Sequence, residues 1–185
     1  MNLSKVIIEN FRGFKRIEVD LDSITVLIGE NNTGKSAFLD AIRLCLSRPL
    51  SRRGNPFEDH DYYLPTDKSS PGDAGKLSVT LDFAETKKGE WVPDIVQALP
   101  DVAVLHGDLY HVTFRLTSEF DKGINDFVVD WDFLDPTNKP IPRGKRTQVL
   151  VMLQQLSGVN PCFETVFGGH TSDFDQPRVL RQPRS

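Results

Sequence analysis

The stretch that most constrains the fold is a short apolar run, Ile24-Thr-Val-Leu-Ile28, that enters the polar loop Gly29-Glu30-Asn31-Asn32-Thr33-Gly34-Lys35-Ser36 and then a helix-period segment from Ala37 to Leu46. A buried-type strand, a glycine-framed loop ending in Gly-Lys-Ser, and a helix, in that order, are the context in which a G-x-x-x-x-G-K-[ST] pattern (Walker A) holds phosphate. Gly29 and Gly34 let the backbone turn without Cβ clashes. Successive N–H groups can then surround phosphate oxygens at the positive end of the following helix. Lys35 is expected to reach the β and γ phosphates, and Ser36 to offer its hydroxyl to Mg²⁺, a hard ion that prefers oxygen ligands.

Ahead of this loop, Leu3 to Asn10 and Lys15 to Leu21 read as two strands joined by the turn Phe11-Arg12-Gly13-Phe14, with Ile17, Val19 and Leu21 alternating with charged residues. The order Ile-Ile-Glu-Asn-Phe-Arg-Gly-Phe, second strand, Val-Leu-Ile-Gly-Glu-Asn-Asn-Thr-Gly-Lys-Ser and Phe-Leu-Asp-Ala-Ile closely resembles the N-terminus of SMC-, RecF- and OLD-type ATPase heads. Within that group it looks most like the OLD (overcoming lysogenization defect) ATP-dependent endonucleases. The resemblance covers roughly the first 50 residues and is architectural beyond them. It implies an α/β fold, an incomplete ABC/SMC-like P-loop head with an antiparallel β-subdomain beside the parallel sheet that carries the loop. It also implies ATP and Mg²⁺ as cofactors, Ser36 as the metal ligand, and nucleotide contacts from Gly29 through Ser36, Ala37 and Arg12.

Further along, the loop helix is expected from about Gly34 to Ser47, with Ala37, Phe38, Ala41, Ile42 and Cys45 inward. Ser47 to Gly75 is a long loop without period. By resemblance Arg52 and Arg53, with Arg48, are candidates for touching nucleotide or DNA; solvated surface arginines are the competing reading. Asp59-His60-Asp61 has metal-type side chains, but adjacent residues rarely converge on one ion. Three period-2 strands follow, carrying Leu77 to Phe83, Tyr110 to Leu116 and Phe127 to Phe133, with a short helix at Pro93 to Leu99 between the first two. A helix is expected from Lys145 to Leu156. Residues 1–156 are thus read as the first part of an SMC/OLD-like head, with antiparallel strands within 76–134, and residues 157–185 as an atypical, poorly ordered tail.

A formal net charge of −4 and 38% hydrophobic residues describe an ordinary globular chain and confine any DNA contact to local basic clusters. No apolar run is long enough to span a bilayer, and Glu9, Asp20 and Asp22 stand where a signal segment would be basic and then apolar, so no membrane partner and a cytoplasmic location are expected. Cys45 and Cys162 are too differently placed to suggest a disulfide or zinc framework.

Hydrolysis on this fold needs an apolar strand ending in Asp and Glu. The nearest match, Phe127-Val-Val-Asp130-Trp-Asp132, has no Glu after Asp130, so no catalytic residue is assigned. Leu156-Ser-Gly158 only echoes the family's signature loop, and the metal-binding Toprim nuclease residues of OLD proteins have no counterpart. Two readings follow. Either the chain is the ATP-binding segment of an OLD-type ATPase and nuclease acting in DNA processing or phage defence, truncated or completed by a partner chain or homodimer, or it is a stand-alone ATP-binding switch without catalysis. A GTPase is weaker, because Asn138-Lys139 continues into Pro140.

Overall fold

The computed structural model describes residues 1–47, 55–64, 66, 71–91, 93–146 and 148–149. Two strands, β1 (Asn2–Phe11) and β2 (Phe14–Asp20), form an opening hairpin, and the helix α1 (Lys35–Ser47) follows the glycine-rich loop. Next come two 3-10 turns, η1 (Asp59–Asp61) and η2 (Pro71–Asp73), and then β3 (Leu77–Ala84), α2 (Pro93–Ala98), β4 (Val104–His106), β5 (Leu109–Asp121) and β6 (Asp126–Phe133).

All six strands join one antiparallel sheet in the order β2-β1-β3-β5-β4, with β6 also on β5. The long strand β5 makes this possible: its first residues pair with β4, from Leu109 to His111, and its later ones with β6, from Phe114 to Asp121. The period of two sorts the side chains. Val6 and Ile8 of β1, Leu77, Val79, Leu81 and Phe83 of β3, Val112, Phe114 and Leu116 of β5, and Phe133 of β6 are buried in one core. Helix α1 covers that face with Phe38, Ala41 and Cys45, spaced three and four apart so that they share one side. Burial there pushes the Cys45 thiol far above its ordinary range.

Most expected elements form within a residue or two of their sequence-derived bounds. The hairpin is not separate from the later strands, however, because β1 pairs with β2 on one side and β3 on the other. Strand β4 was not foreseen, since three residues are too few to carry a period. The expected helix from Lys145 begins two residues earlier, with helical residues at 143–146 and 148–149; the rest of it, the signature echo at 156–158 and the tail 157–185 lie outside the described residues.

The main departure is at Ile24 to Ile28. This run has no strand partner among the described residues, and Ile24, Val26 and Ile28 are 84%, 72% and 90% exposed. Leu27, which points the other way, packs on the core. A strand is stabilised by ladder hydrogen bonds that a single extended segment cannot make. The parallel sheet expected around the loop is correspondingly missing from the described residues.

The two apolar sets should respond in opposite ways. Phe114→Ala, in the fully buried row, is expected to cost about 3–5 kcal/mol of unfolding free energy, whereas Val26→Thr on the exposed run should stay within about 0.5 kcal/mol. Denaturant unfolding of both variants checks this, and a large loss for Val26→Thr would mean that the run is packed.

Candidate nucleotide-binding site

The loop closes around its own lysine. Lys35 Nζ donates to the carbonyls of Gly29 at 2.7 Å and Glu30 at 2.6 Å and reaches Thr33 Oγ1 at 3.3 Å, while Thr33 Oγ1 donates to Glu30 O at 2.9 Å. Asn32 and Gly34 take positive φ values of 70° and 89°. That left-handed geometry suits Gly34, while a Cβ at Gly29 would meet the Thr33 side-chain Oγ1 at 2.8 Å. The first helical hydrogen bond runs from Phe38 N–H to Gly34 O at 2.9 Å. The N–H groups of Gly34, Lys35, Ser36 and Ala37 therefore have no intrahelical acceptor, which is the source of an anion site at a helix start. Glu30 to Thr33 and Ser36 are exposed. All eight loop residues and Ala37 are thus gathered at one helix end, with Lys35 and Ser36 adjacent at its start.

Arg12 sits in the hairpin turn, and its guanidinium is taken by carboxylates. Nε donates to Asp61 Oδ1 at 2.8 Å and an η nitrogen to Asp40 Oδ2 at 2.6 Å, while its backbone N–H donates to Asp61 O at 2.7 Å. Asp40 lies one helical turn beyond Ser36, on the same side of α1, so Arg12 stands next to the loop helix. The Arg12 hydrogen bond holds the Asp40 carboxyl below its usual range. Sequence reasoning missed Asp40 and Asp61 in this setting; the signal was the single arginine of the turn, which needs acceptors.

The Asp59-His60-Asp61 group does not converge. Asp61 is buried against Arg12 and accepts from the Glu58 N–H at 2.9 Å, whereas the His60 side chain is 65% exposed. Among the described residues no three His, Cys, Asp or Glu side chains are placed to hold a metal. Arg48, Arg52 and Arg53 lie outside the described residues.

Asp130 is not beside the loop. It lies on β6, reached from β1 only across β3 and β5, and its carboxylate accepts from Arg146 and Arg143, each at 3.0 Å. Burial pushes its pKa up, but Arg146 outweighs that and holds it below the usual value. The acids of this strand, the nearest match to a catalytic one and not assigned as such, pair with arginines of the segment after β6.

The sequence matches, over residues 1–163, the family described as Protein of unknown function (DUF2813). The chain belongs to the DUF2813 family. Endonuclease GajA of Bacillus cereus (strain VD045) is 27% identical to this DUF2813 chain over 132 residues, 71% of this chain and 22% of GajA. Uncharacterized protein YbjD of Escherichia coli (strain K12) is 41% identical over 93 residues, 48% of this chain and 16% of YbjD. DNA replication and repair protein RecF of Listeria monocytogenes (serotype 4b, strain CLIP80459) is 31% identical over 93 residues, 49% of this chain and 25% of RecF. The chain spans a quarter or less of the length of these relatives. Among solved structures, a chain from work on ATP-driven dimerization and DNA stimulated activation of SMC ATPases has a TM-score of 0.44 and 16% identity over 81% of this chain and 78% of that one. The expected resemblance to OLD- and RecF-type proteins is borne out by these sequence relatives, an endonuclease and a DNA replication and repair protein. No helix among the described residues is long and apolar enough to cross a membrane.

The arginine-bound acids of this DUF2813 chain give a pH signature. Burial pushes the Asp132 carboxyl up to about 6, against the pull of the Arg146 ion pair and with the help of the Asp130 charge. The folded state therefore favours the neutral acid. Its contribution to stability is complete below the unfolded value of 3.8 and is lost as pH rises through about 6; Asp130, shifted the other way, acts below that window. Asp132→Asn should flatten this decline, which is at most about 1.4 kcal/mol per pH unit. Unfolding curves across the window that decline as steeply in the variant as in the wild type would contradict the assignment.

Proposed function

We propose that this chain binds Mg-ATP through Gly29 to Ser36 as the nucleotide-binding segment of an OLD-type ATPase that acts in DNA processing or phage defence. The observation that carries the proposal is the loop itself: a left-handed Gly34 opening α1, with Lys35 folded over the loop carbonyls and four helix-start N–H groups facing outward of the helix ladder. The names of two relatives, an endonuclease and a DNA replication and repair protein, support the setting.

The residues present fit the ligand. Lys35 would exchange carbonyl partners for the β and γ phosphates, the N–H groups of Gly34 to Ala37 would meet phosphate oxygens, and Ser36 Oγ would give Mg²⁺ one oxygen ligand. The metal, when bound, supplies neutralisation of phosphate charge. Asp40, one helical turn from Ser36, is engaged by Arg12, and Asp130 by Arg143 and Arg146, so this reading has the chain hold the nucleotide's ground state, with turnover depending on other acids. The outward row of Ile24, Val26 and Ile28 supports that reading, because it is an exposed apolar row with strand composition and no strand partner among the described residues.

Calorimetric titration with Mg-ATP tests the proposal. Lys35→Ala is expected to weaken binding by about 10- to 100-fold, the equivalent of one charge-assisted contact of about 1.5–3 kcal/mol. Equal affinity for the wild type and the variant would defeat it. Robust phosphate release by the purified chain, abolished by Lys35→Ala, would instead show that a catalytic acid lies within the chain.

A further inference from the structure

The turn between β1 and β2 touches the glycine-rich loop at a point that neither the loop motif nor the metal chemistry accounts for. The Phe14 ring lies directly against Gly34: a Cβ built on Gly34 would fall 2.6 Å from Phe14 Cζ and 2.9 Å from Cε1. Gly34 is also the residue held at φ 89°, and its carbonyl accepts the first hydrogen bond of α1. The ring therefore rests on the residue that sets where the loop ends and the helix begins. From the same turn Arg12 grips Asp40, one helical turn beyond Ser36 on α1. Two side chains of a four-residue turn thus hold the loop–helix junction, one by ring contact and one by an ion pair.

We propose that Phe14 is a positioning residue for nucleotide: its ring seats Gly34 in the left-handed conformation and so aims the N–H groups of Gly34 to Ala37 at phosphate. This rests on the ATP-binding reading above and deepens it. The physical basis is that left-handed backbone costs little at glycine but is not its only accessible state. A flexible loop must be ordered before its N–H groups act together, and an ordered loop binds without that cost. The ring removes alternatives for Gly34 before ligand arrives. It is carried by the edge strand β2, and the rest of β2 is held by its ladder to β1, so the hairpin transmits the rigidity of the sheet to a loop that has no sheet partner of its own.

The test is Mg-ATP titration of Phe14→Ala, Phe14→Leu, Gly34→Ala and the double variant Phe14→Ala/Gly34→Ala, with Ile17→Ala as a control on the same strand that packs on the core. Phe14→Ala should weaken Mg-ATP by at least tenfold and Phe14→Leu, which keeps apolar bulk, by less, while Ile17→Ala stays within about twofold despite lowering unfolding stability. Gly34→Ala should cost less affinity in the Phe14→Ala background than alone, because the space its Cβ needs is then empty. Unchanged or tighter binding by Phe14→Ala, with Lys35→Ala still defective, would overturn the positioning role and leave the ATP site standing. Additive effects of Phe14→Ala and Gly34→Ala would overturn it as well. Absence of Mg-ATP binding by the wild type would remove the ATP reading itself. If Phe14→Ala does not fold, Phe14→Leu alone decides, with no loss of affinity counting against the proposal.

Discussion

The backbone of Arg12 is the constraint on which the site depends. In the turn Phe11 to Phe14 it is Arg12, at φ 47°, and not Gly13, that adopts the left-handed conformation, a state that disfavours a residue with a Cβ by about 1–2 kcal/mol. The strain is held by what the conformation permits. The Arg12 N–H reaches Asp61 O, and the side chain spans Asp61 and Asp40. Releasing those carboxylates would leave the buried Asp61 without its guanidinium partner, a cost that exceeds that of the strained φ. The turn therefore joins three separate parts of the chain: the hairpin, the loop helix and the segment around η1.

That segment is in turn fastened to the opposite part of the sheet. Tyr62 pairs with Phe11 as an isolated bridge, and its hydroxyl shares a hydrogen bond with Ser118 on β5 at 2.7 Å. Its ring stacks on Phe127 of β6 with centroids 3.9 Å apart, and Phe57 sits edge-on to both Phe11 and Tyr62. A stretch without periodicity thus behaves as an aromatic strap over the core. The other face of the sheet is finished by polar contacts instead. Asp82 accepts from Ser4 at 2.6 Å and Thr113 at 2.8 Å and meets His111 Nδ1 at 2.6 Å. A sheet built this way has one core face and one hydrogen-bonded face, and α1 can serve only the first.

The sequence carried the local part of this well. Alternation at Leu77 to Phe83 and Tyr110 to Leu116 is read directly because each strand has one buried face, and the spacing of Phe38, Ala41 and Cys45 marks the helix side for the same reason. The glycine-rich turn ahead of α1 was legible because its glycine spacing marks a tight loop, and Gly34 does take a positive φ there. What the sequence hid is non-local. Nothing in Asp59-His60-Asp61 says that its last acid is spent on an arginine 49 residues earlier, and nothing in Gly34 says that Phe14 lies against it. The partners of Asp130 were hidden in the same way, since Arg143 and Arg146 lie 13 and 16 residues further on.

Ile24 to Ile28 shows where local and global signals part. The run has strand composition, and within it Leu27 packs inward while Ile24, Thr25, Val26 and Ile28 are exposed. For a central strand, however, composition states only a capacity. Backbone N–H and C=O groups and both side-chain faces must be met by neighbours, and a parallel neighbour comes from a distant part of a chain by way of a crossover. The antiparallel sheet forms fully because β1, β2, β3, β5 and β6 supply each other's partners within the described residues. The loop strand cannot, so its helix and loop are positioned instead by the hairpin turn, through Phe14 on Gly34 and Arg12 on Asp40. The glycine-rich loop is thus held from the antiparallel side, with the apolar row Ile24, Val26 and Ile28 left exposed.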